Sequence, residues 1–356
     1  MARYAVATAL AGLIGLTACA NGDNTRPENA VFHAVQNPAH LSDWGVLRID
    51  RGHLVPASDS VVYSVRAPLF TDYAHKLRTI HTPEPAAINE DGSLDFAVGT
   101  IISKTFYYPE KQAGVLRSPD PDSRAIDLST HRVIETRLLV KRDTGWEPVS
   151  YVWNNEETKA GLKRTGAVFP LTLLHETGET DFAYIVPNEN QCAGCHATNS
   201  KSDDLFPLGA VAPQFTDRSA MIVAGVMRPG VFTAQVDYRD AGEGLEDRAR
   251  SYLASNCAHC HNPVGPADTS GLDLSLTAKS SLVLGACKPP IAAGSGTGGH
   301  RFSISPGEPD RSIMPYRMAS TDPGAMMPEL GRSLAHEDGV ALIRKWITEM
   351  DGNCGI

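Results

Sequence analysis

The chain has 356 residues, 41 acidic against 32 basic side chains, a formal net charge of −9 and an isoelectric point near 5.7. That balance argues against a nucleic-acid partner, whose phosphates call for a basic surface. The length is enough for two domains with cores of their own.

The amino terminus reads as an export signal. Arg3 supplies a short positive region, and residues 5–16 form an apolar run too short to span a bilayer as a mature helix. Leu16-Thr17-Ala18-Cys19 follows and resembles a bacterial lipobox, which makes residues 1–18 a lipoprotein signal peptide and Cys19 the lipidated first residue of the mature chain. An ordinary signal peptide with an incidental cysteine is the alternative. Either way the chain is exported. With the lipid, it is anchored to a membrane on the periplasmic side of the envelope, the outer membrane being the expected one. Residues 19–30 are polar and turn-rich, a flexible tether.

Residues 31–190 read as a β-rich domain. Ile134, Thr136, Leu138 and Val140 alternate with Glu135, Arg137 and Lys141, a period of two with one polar face. Asp143-Thr144-Gly145 supplies a turn, and residues 146–153 return as an aromatic strand. Residues 99–108 and 181–186 are further β-branched and aromatic runs. The histidines of this half (His75, His81, His131, His175) show no spacing that marks a catalytic group, and are assigned surface or core roles.

The first chemical signature is Cys192-Ala193-Gly194-Cys195-His196, within a segment spanning residues 191–241. The second is Cys257-Ala258-His259-Cys260-His261, within residues 242–356. Cys-x-x-Cys-His is the attachment signature of c-type haem. Two thiols about a helical turn apart can each form a thioether to a macrocycle vinyl group, and the adjoining histidine can ligate the iron. With 7 Cys and 12 His in the chain, one match is expected by chance about 0.005 times, so two matches are not coincidence. Zinc held by four thiolates, or a redox dithiol, remains the alternative, though neither requires the histidine. The expected cofactors are therefore two covalently bound c-type haems, with Cys192, Cys195, Cys257 and Cys260 as attachment points and His196 and His261 as iron ligands. His259 is read as the variable position of its motif, pointing away from the iron that His261 binds. No amphipathic helix precedes Cys192, so the first haem is expected against the β-rich domain or at its junction with the second haem domain.

From residue 242 the pattern changes. Leu245, Ala249, Tyr252 and Leu253 mark an amphipathic helix running into Cys257. Val340, Ile343, Ile347 and Met350, with Leu342 and Trp346 beside them, form a second apolar stripe near the carboxyl end. Glu337 and Asp338 lie at its positive end. After Cys19 and the four motif thiols, Cys287 and Cys354 remain. In an exported chain they are expected to form a disulfide enclosing 67 residues, worth about 4 kcal/mol in the chain-entropy treatment. Two free thiols are the alternative.

Asn256-Cys257-Ala258-His259-Cys260-His261-Asn262-Pro263, then Ser270-Gly271-Leu272-Asp273-Leu274, Pro306-Gly307-Glu308-Pro309-Asp310-Arg311-Ser312 and Met326-Met327-Pro328, resemble a bacterial cytochrome c module. Together with Pro68-Leu69-Phe70-Thr71-Asp72-Tyr73-Ala74 and Tyr151-Val152-Trp153-Asn154, the mature chain resembles a family of exported bacterial dihaem c-type cytochromes. The resemblance implies an α+β multidomain fold, a β-rich domain followed by a mostly α-helical cytochrome c-like domain. It also implies single-electron transfer between redox partner proteins, an electron carrier rather than a catalyst. Met327, directly before a proline, is the preferred sixth ligand of the second haem, with Met326 and Met314 as alternatives. For the first haem, Met221, Met227 and a histidine of the β-rich half all stay open. A dihaem oxidase or peroxidase, with one iron keeping an open position, is the competing function.

Overall fold

The structure is a computed structural model that describes residues 1, 28–197, 199, 204–291 and 294–355. Cys19 and the lipobox lie outside the described residues. The amino-terminal half is built on a nine-stranded sheet whose centre is three long strands, His75–His81, Ile101–Lys111 and His131–Arg142. The predicted hairpin is present: His131–Arg142 pairs antiparallel with Gly145–Trp153 from Arg142 opposite Gly145 to Glu135 opposite Val152. Gly145 has φ of 118°, a conformation that suits glycine in this tight connection. The sheet continues through Gly114–Leu116 to the hairpin Ala167–His175 and Gly178–Val186. It curls over as it does so, because the Tyr184 hydroxyl donates to Glu135 Oε1 at 2.7 Å although their strands are not neighbours.

The curl changes the meaning of the alternation read from the sequence. One face of the sheet (Leu77, Ile101, Leu138, Val140, Tyr151) packs on Trp44, Leu47 and Leu54 beneath a small three-stranded sheet. The other face carries Ile80, Ile102 and Leu139 in one apolar cluster and Phe106, Tyr108 and Tyr184 in another. The expected polar face is therefore covered, and Glu135 is 0% exposed. A bulge between Val133 and Glu135 inserts Ile134 as an unpaired residue. Ile134 thus packs with Phe106 and Tyr108 instead of sharing a cluster with Leu138 and Val140.

The carboxyl-terminal region corrects the expected fold class. The molecule is mainly β, and residues 242–356 are not mostly α-helical. Short helices α1 (Ala193–His196) and α2 (Arg218–Val223) precede the region. Its own helices are α3 (Leu245–Asn256), α4 (Ile313–Ala319) and α5 (Glu337–Thr348), joined by turns and 3-10 segments. The reason lies in the stretch between Pro263 and Pro328, where recurrent proline removes backbone donors and recurrent glycine raises the entropy cost of helix. Both amphipathic stripes form helices, and α3 packs on α5 through Ala249, Tyr252 and Leu253 against Leu342, Ile343, Trp346 and Ile347. Gly339 sits directly on the Tyr252 ring, where no side chain fits. Cys287 and Cys354 are joined by a disulfide, with Cα atoms 5.1 Å apart.

The two halves are pinned at residues 70–73. The Phe70 N–H donates to Asn256 Oδ1 at the end of α3, and the Asp72 carboxylate accepts from Ser333 and Leu334 N–H at 2.8 to 2.9 Å. Tyr73 donates to Ala335 O, and Arg117 pairs with Glu337 and Asp338 at the start of α5. His336 stacks on Phe70 with centroids 4.3 Å apart and is edged by Tyr73 and Tyr238. Among the described residues, no helix is long and apolar enough to cross a membrane.

Candidate haem attachment site

Both motifs fold as one tight turn, which the sequence dictates locally. In the first, Asn188 and Gln191 form a reciprocal capping box that starts the turn, and His196 N–H bonds Cys192 O at 3.0 Å. In the second, α3 runs on through Cys257, whose N–H bonds Leu253 O, and His261 N–H bonds Cys257 O at 2.9 Å. Each turn brings its two cysteines to one side, with the histidine one step beyond. All four thiols are free and part-buried.

The two histidines are held in the tautomer that iron needs. His196 Nδ1 lies 2.8 Å from the Phe206 carbonyl, which can only accept, so Nδ1 carries the proton. His261 Nδ1 lies 2.9 Å from Ser270 Oγ, whose own proton is donated to Ala267 O, so that oxygen also accepts. In both rings the lone pair is therefore on Nε2, and a second-shell acceptor fixes the ring plane. Burial drives both imidazoles down to about 4, which keeps them neutral, as a ligand must be. The donor set and the fixed tautomers fit c-type haem. Among the described residues, no group of three or more His, Cys, Asp or Glu side chains is arranged to hold a metal ion.

The motifs lie against each other. The Cys260 thiol donates to Gly194 O at 3.2 Å, inside the first motif. Cys260 and His259 also bear on the ionisation of Cys195. The nearness of the two thiols lowers Cys195 and raises Cys260, while burial alone pushes Cys257 up to about 12. The charge of His259 is felt at Cys195, an influence that its variable place within Cys-x-x-Cys-His does not disclose.

The sixth-ligand candidates are spread out. Met327 is part-buried, its N–H bonds Arg317 O at 3.0 Å, and its carbonyl accepts from Arg332 at 2.9 Å. The Arg317 charge adds to burial in lowering His261. Met314 lies part-buried against the helical core. Met221 and Met227 are buried in the cluster with Ile80 and Phe215. His75, His81, His131 and His175 bond to their own surroundings: Ser118 O, Asp59, Asp127 O, and Thr177 with Thr180.

Three basic residues escaped the reading of the sequence, Lys76, Arg78 and Lys104, and a fourth, Arg137, was read only as part of a polar face. They lie on the covered face of the sheet, and the charges of Lys104 and Arg137 are felt at His196. The available signal was charge inside strands otherwise made of apolar and β-branched residues. Solvated-face alternation explains the same pattern, and only the curl of the sheet separates the two. No family model, no curated protein and no solved structure matches the chain.

Proposed function

We propose that the protein is an exported dihaem c-type cytochrome that passes single electrons between redox partner proteins, held to the periplasmic side of a membrane by a lipid on Cys19. The observation that carries this reading is the contact between the two Cys-x-x-Cys-His turns, made by the Cys260 thiol on the Gly194 carbonyl. Haem, when bound, supplies a one-electron iron couple. The chain supplies everything else. Cys192, Cys195, Cys257 and Cys260 fix two groups at neighbouring points, so an electron passes between them without crossing the protein. His196 and His261 present Nε2, with ring planes set by Phe206 and Ser270. Met327 is the residue proposed to complete the second site, on a loop tied down by Arg317 and Arg332.

A peroxidase-type use is the second reading. It is favoured by the placement of Met221 and Met227 in the core and by the local bonding of the four β-half histidines, which leaves the first iron's sixth ligand unassigned. Mass spectrometry of protein matured with haem-attachment machinery should show two haem additions. Low-temperature EPR should show two interacting irons and, for electron transfer, six ligands at each. No addition, or bound zinc instead, overturns the proposal; a high-spin first iron moves it to the peroxidase reading.

A further inference from the structure

Across the centre of the sheet, Arg78, Lys104 and Arg137 stand directly opposite one another on adjacent strands. Neighbouring strands run about 4.8 Å apart, so this is a row of three positive charges on one face. Like charges at cross-strand positions repel, and removing a cation from water costs free energy unless it is paired. Yet the row is covered. Arg78 is 6% exposed, Lys76 beside it 9%, and the Arg137 side chain 25%. Lys76, Lys104 and Arg137 all crowd the ring of Phe106, at 5.9, 5.3 and 4.5 Å from its centre.

The carboxylates nearby are already engaged. Glu135 takes two bonds from Arg137 and one from Tyr184. Asp72 accepts from Ser333 and Leu334, and Asp120 accepts from the Lys76 N–H. Among the described residues, neither Arg78 nor Lys104 has an ion-pair partner, and Arg78 makes only a 3.3 Å bond to Lys76 O. Burial accordingly pulls Lys76 and Lys104 down to about 7. The row sits between two apolar clusters, Ile80, Ile102 and Leu139 on one side and Phe106, Tyr108 and Tyr184 on the other. The row is within electrostatic reach of the first motif: Arg137 is felt at Cys192, Lys104 at Cys195, and both at His196.

We propose that Arg78, Lys104 and Arg137 form the binding site for the carboxylate side arms of the haem attached at Cys192 and Cys195. This rests on the reading of that motif as a haem site and adds the residues that orient and charge-balance the group. The two carboxylates of the haem supply the negative charge that Arg78 and Lys104 lack, through charge-assisted bonds. Positive charge beside the iron disfavours its oxidised form, so the row also raises the reduction potential of the first haem above what its ligands alone would set.

The test is a redox titration of the holoprotein with haem content checked by mass. In Lys104→Met, one of the two potentials should shift at least tenfold toward the oxidised form, equivalent to about 59 mV for a one-electron couple. Lys104→Arg should keep the parent value, as should Lys279→Met on the exposed surface. Arg78→Gln should lower the same potential and serves if Lys104→Met does not fold. Loss of the first haem from Lys104→Met but not from Lys104→Arg also supports the site. Two attached haems with unchanged potentials in both Lys104→Met and Arg78→Gln would overturn the site while leaving the dihaem reading intact. A parent protein with no haem at Cys192 and Cys195 would overturn both.

Discussion

Replacing Cys354 with serine removes the bridge to Cys287 and frees a span of 67 residues that includes α4, α5, Met314, Met326 and Met327. In the chain-entropy treatment, a loop of that length lowers the entropy of the unfolded chain by about 14.6 cal/mol/K, which is about 4.4 kcal/mol at 25 °C. Cys287 itself has φ of 52°, a left-handed conformation held by a bond from its N–H to Ile304 O. Serine at 354 leaves that conformation in place, so the bridge alone is being measured. Urea unfolding followed by far-ultraviolet circular dichroism is the assay. With a slope of roughly 1–3 kcal/mol/M, the midpoint should fall by roughly 1.5 to 4 M. Reducing the parent under native conditions should bring it to the value of the variant. A variant within about 0.5 kcal/mol of the parent, or parent cysteines 287 and 354 that react fully with a thiol reagent without reductant, would refute the reasoning.

Other consequences are open to measurement. Gly339→Ala drives a methyl into the Tyr252 ring and should cost about 1–3 kcal/mol; an unchanged melting temperature would contradict the α3–α5 packing. Burial drives His336 down to about 4, against the influence of Asp338 and Glu337 and with that of Lys76 and Arg117. The unfolded chain therefore takes a proton on this ring below about pH 6.5 while the folded one does not, so stability falls as pH drops from 6.5 towards 4, by up to about 3 kcal/mol. His336→Phe should flatten that limb of the pH–stability curve, and an unaltered limb would show that the ring is not the source. Met327→Ala should abolish a sulfur-to-iron charge-transfer band from the second haem and lower its potential; persistence of the band would move the ligand to Met326 or Met314. Cys19→Ala should release the protein from membranes, an expectation that fails if the parent is already soluble after cell fractionation.

What the sequence determined by itself is chemistry written within one turn of backbone. Cys192 with Cys195 and His196, and Cys257 with Cys260 and His261, are set by spacings of three and four residues. The hairpin around Asp143-Thr144-Gly145 is likewise local, and so are the stripes of α3 and α5. The expectation of export and a cysteine remainder of two led to Cys287 and Cys354 because elimination needs no geometry. The segment 68–74 could be singled out but not understood, since its role is to meet Asn256, Ser333 and Leu334, far along the chain. The helical content of residues 242–356 was overestimated because two good stripes flank a long Gly- and Pro-rich stretch that cannot continue either helix. Only tertiary structure decided that Cys260 would touch Gly194. Only the strand register could place Arg78, Lys104 and Arg137 in one row, and only the curl of the sheet could bury it. The physical reason is the same in each case. A side-chain period tells which residues share a face, but which face is covered, and by what, depends on long-range pairings whose loop-closure cost leaves no local trace in the sequence.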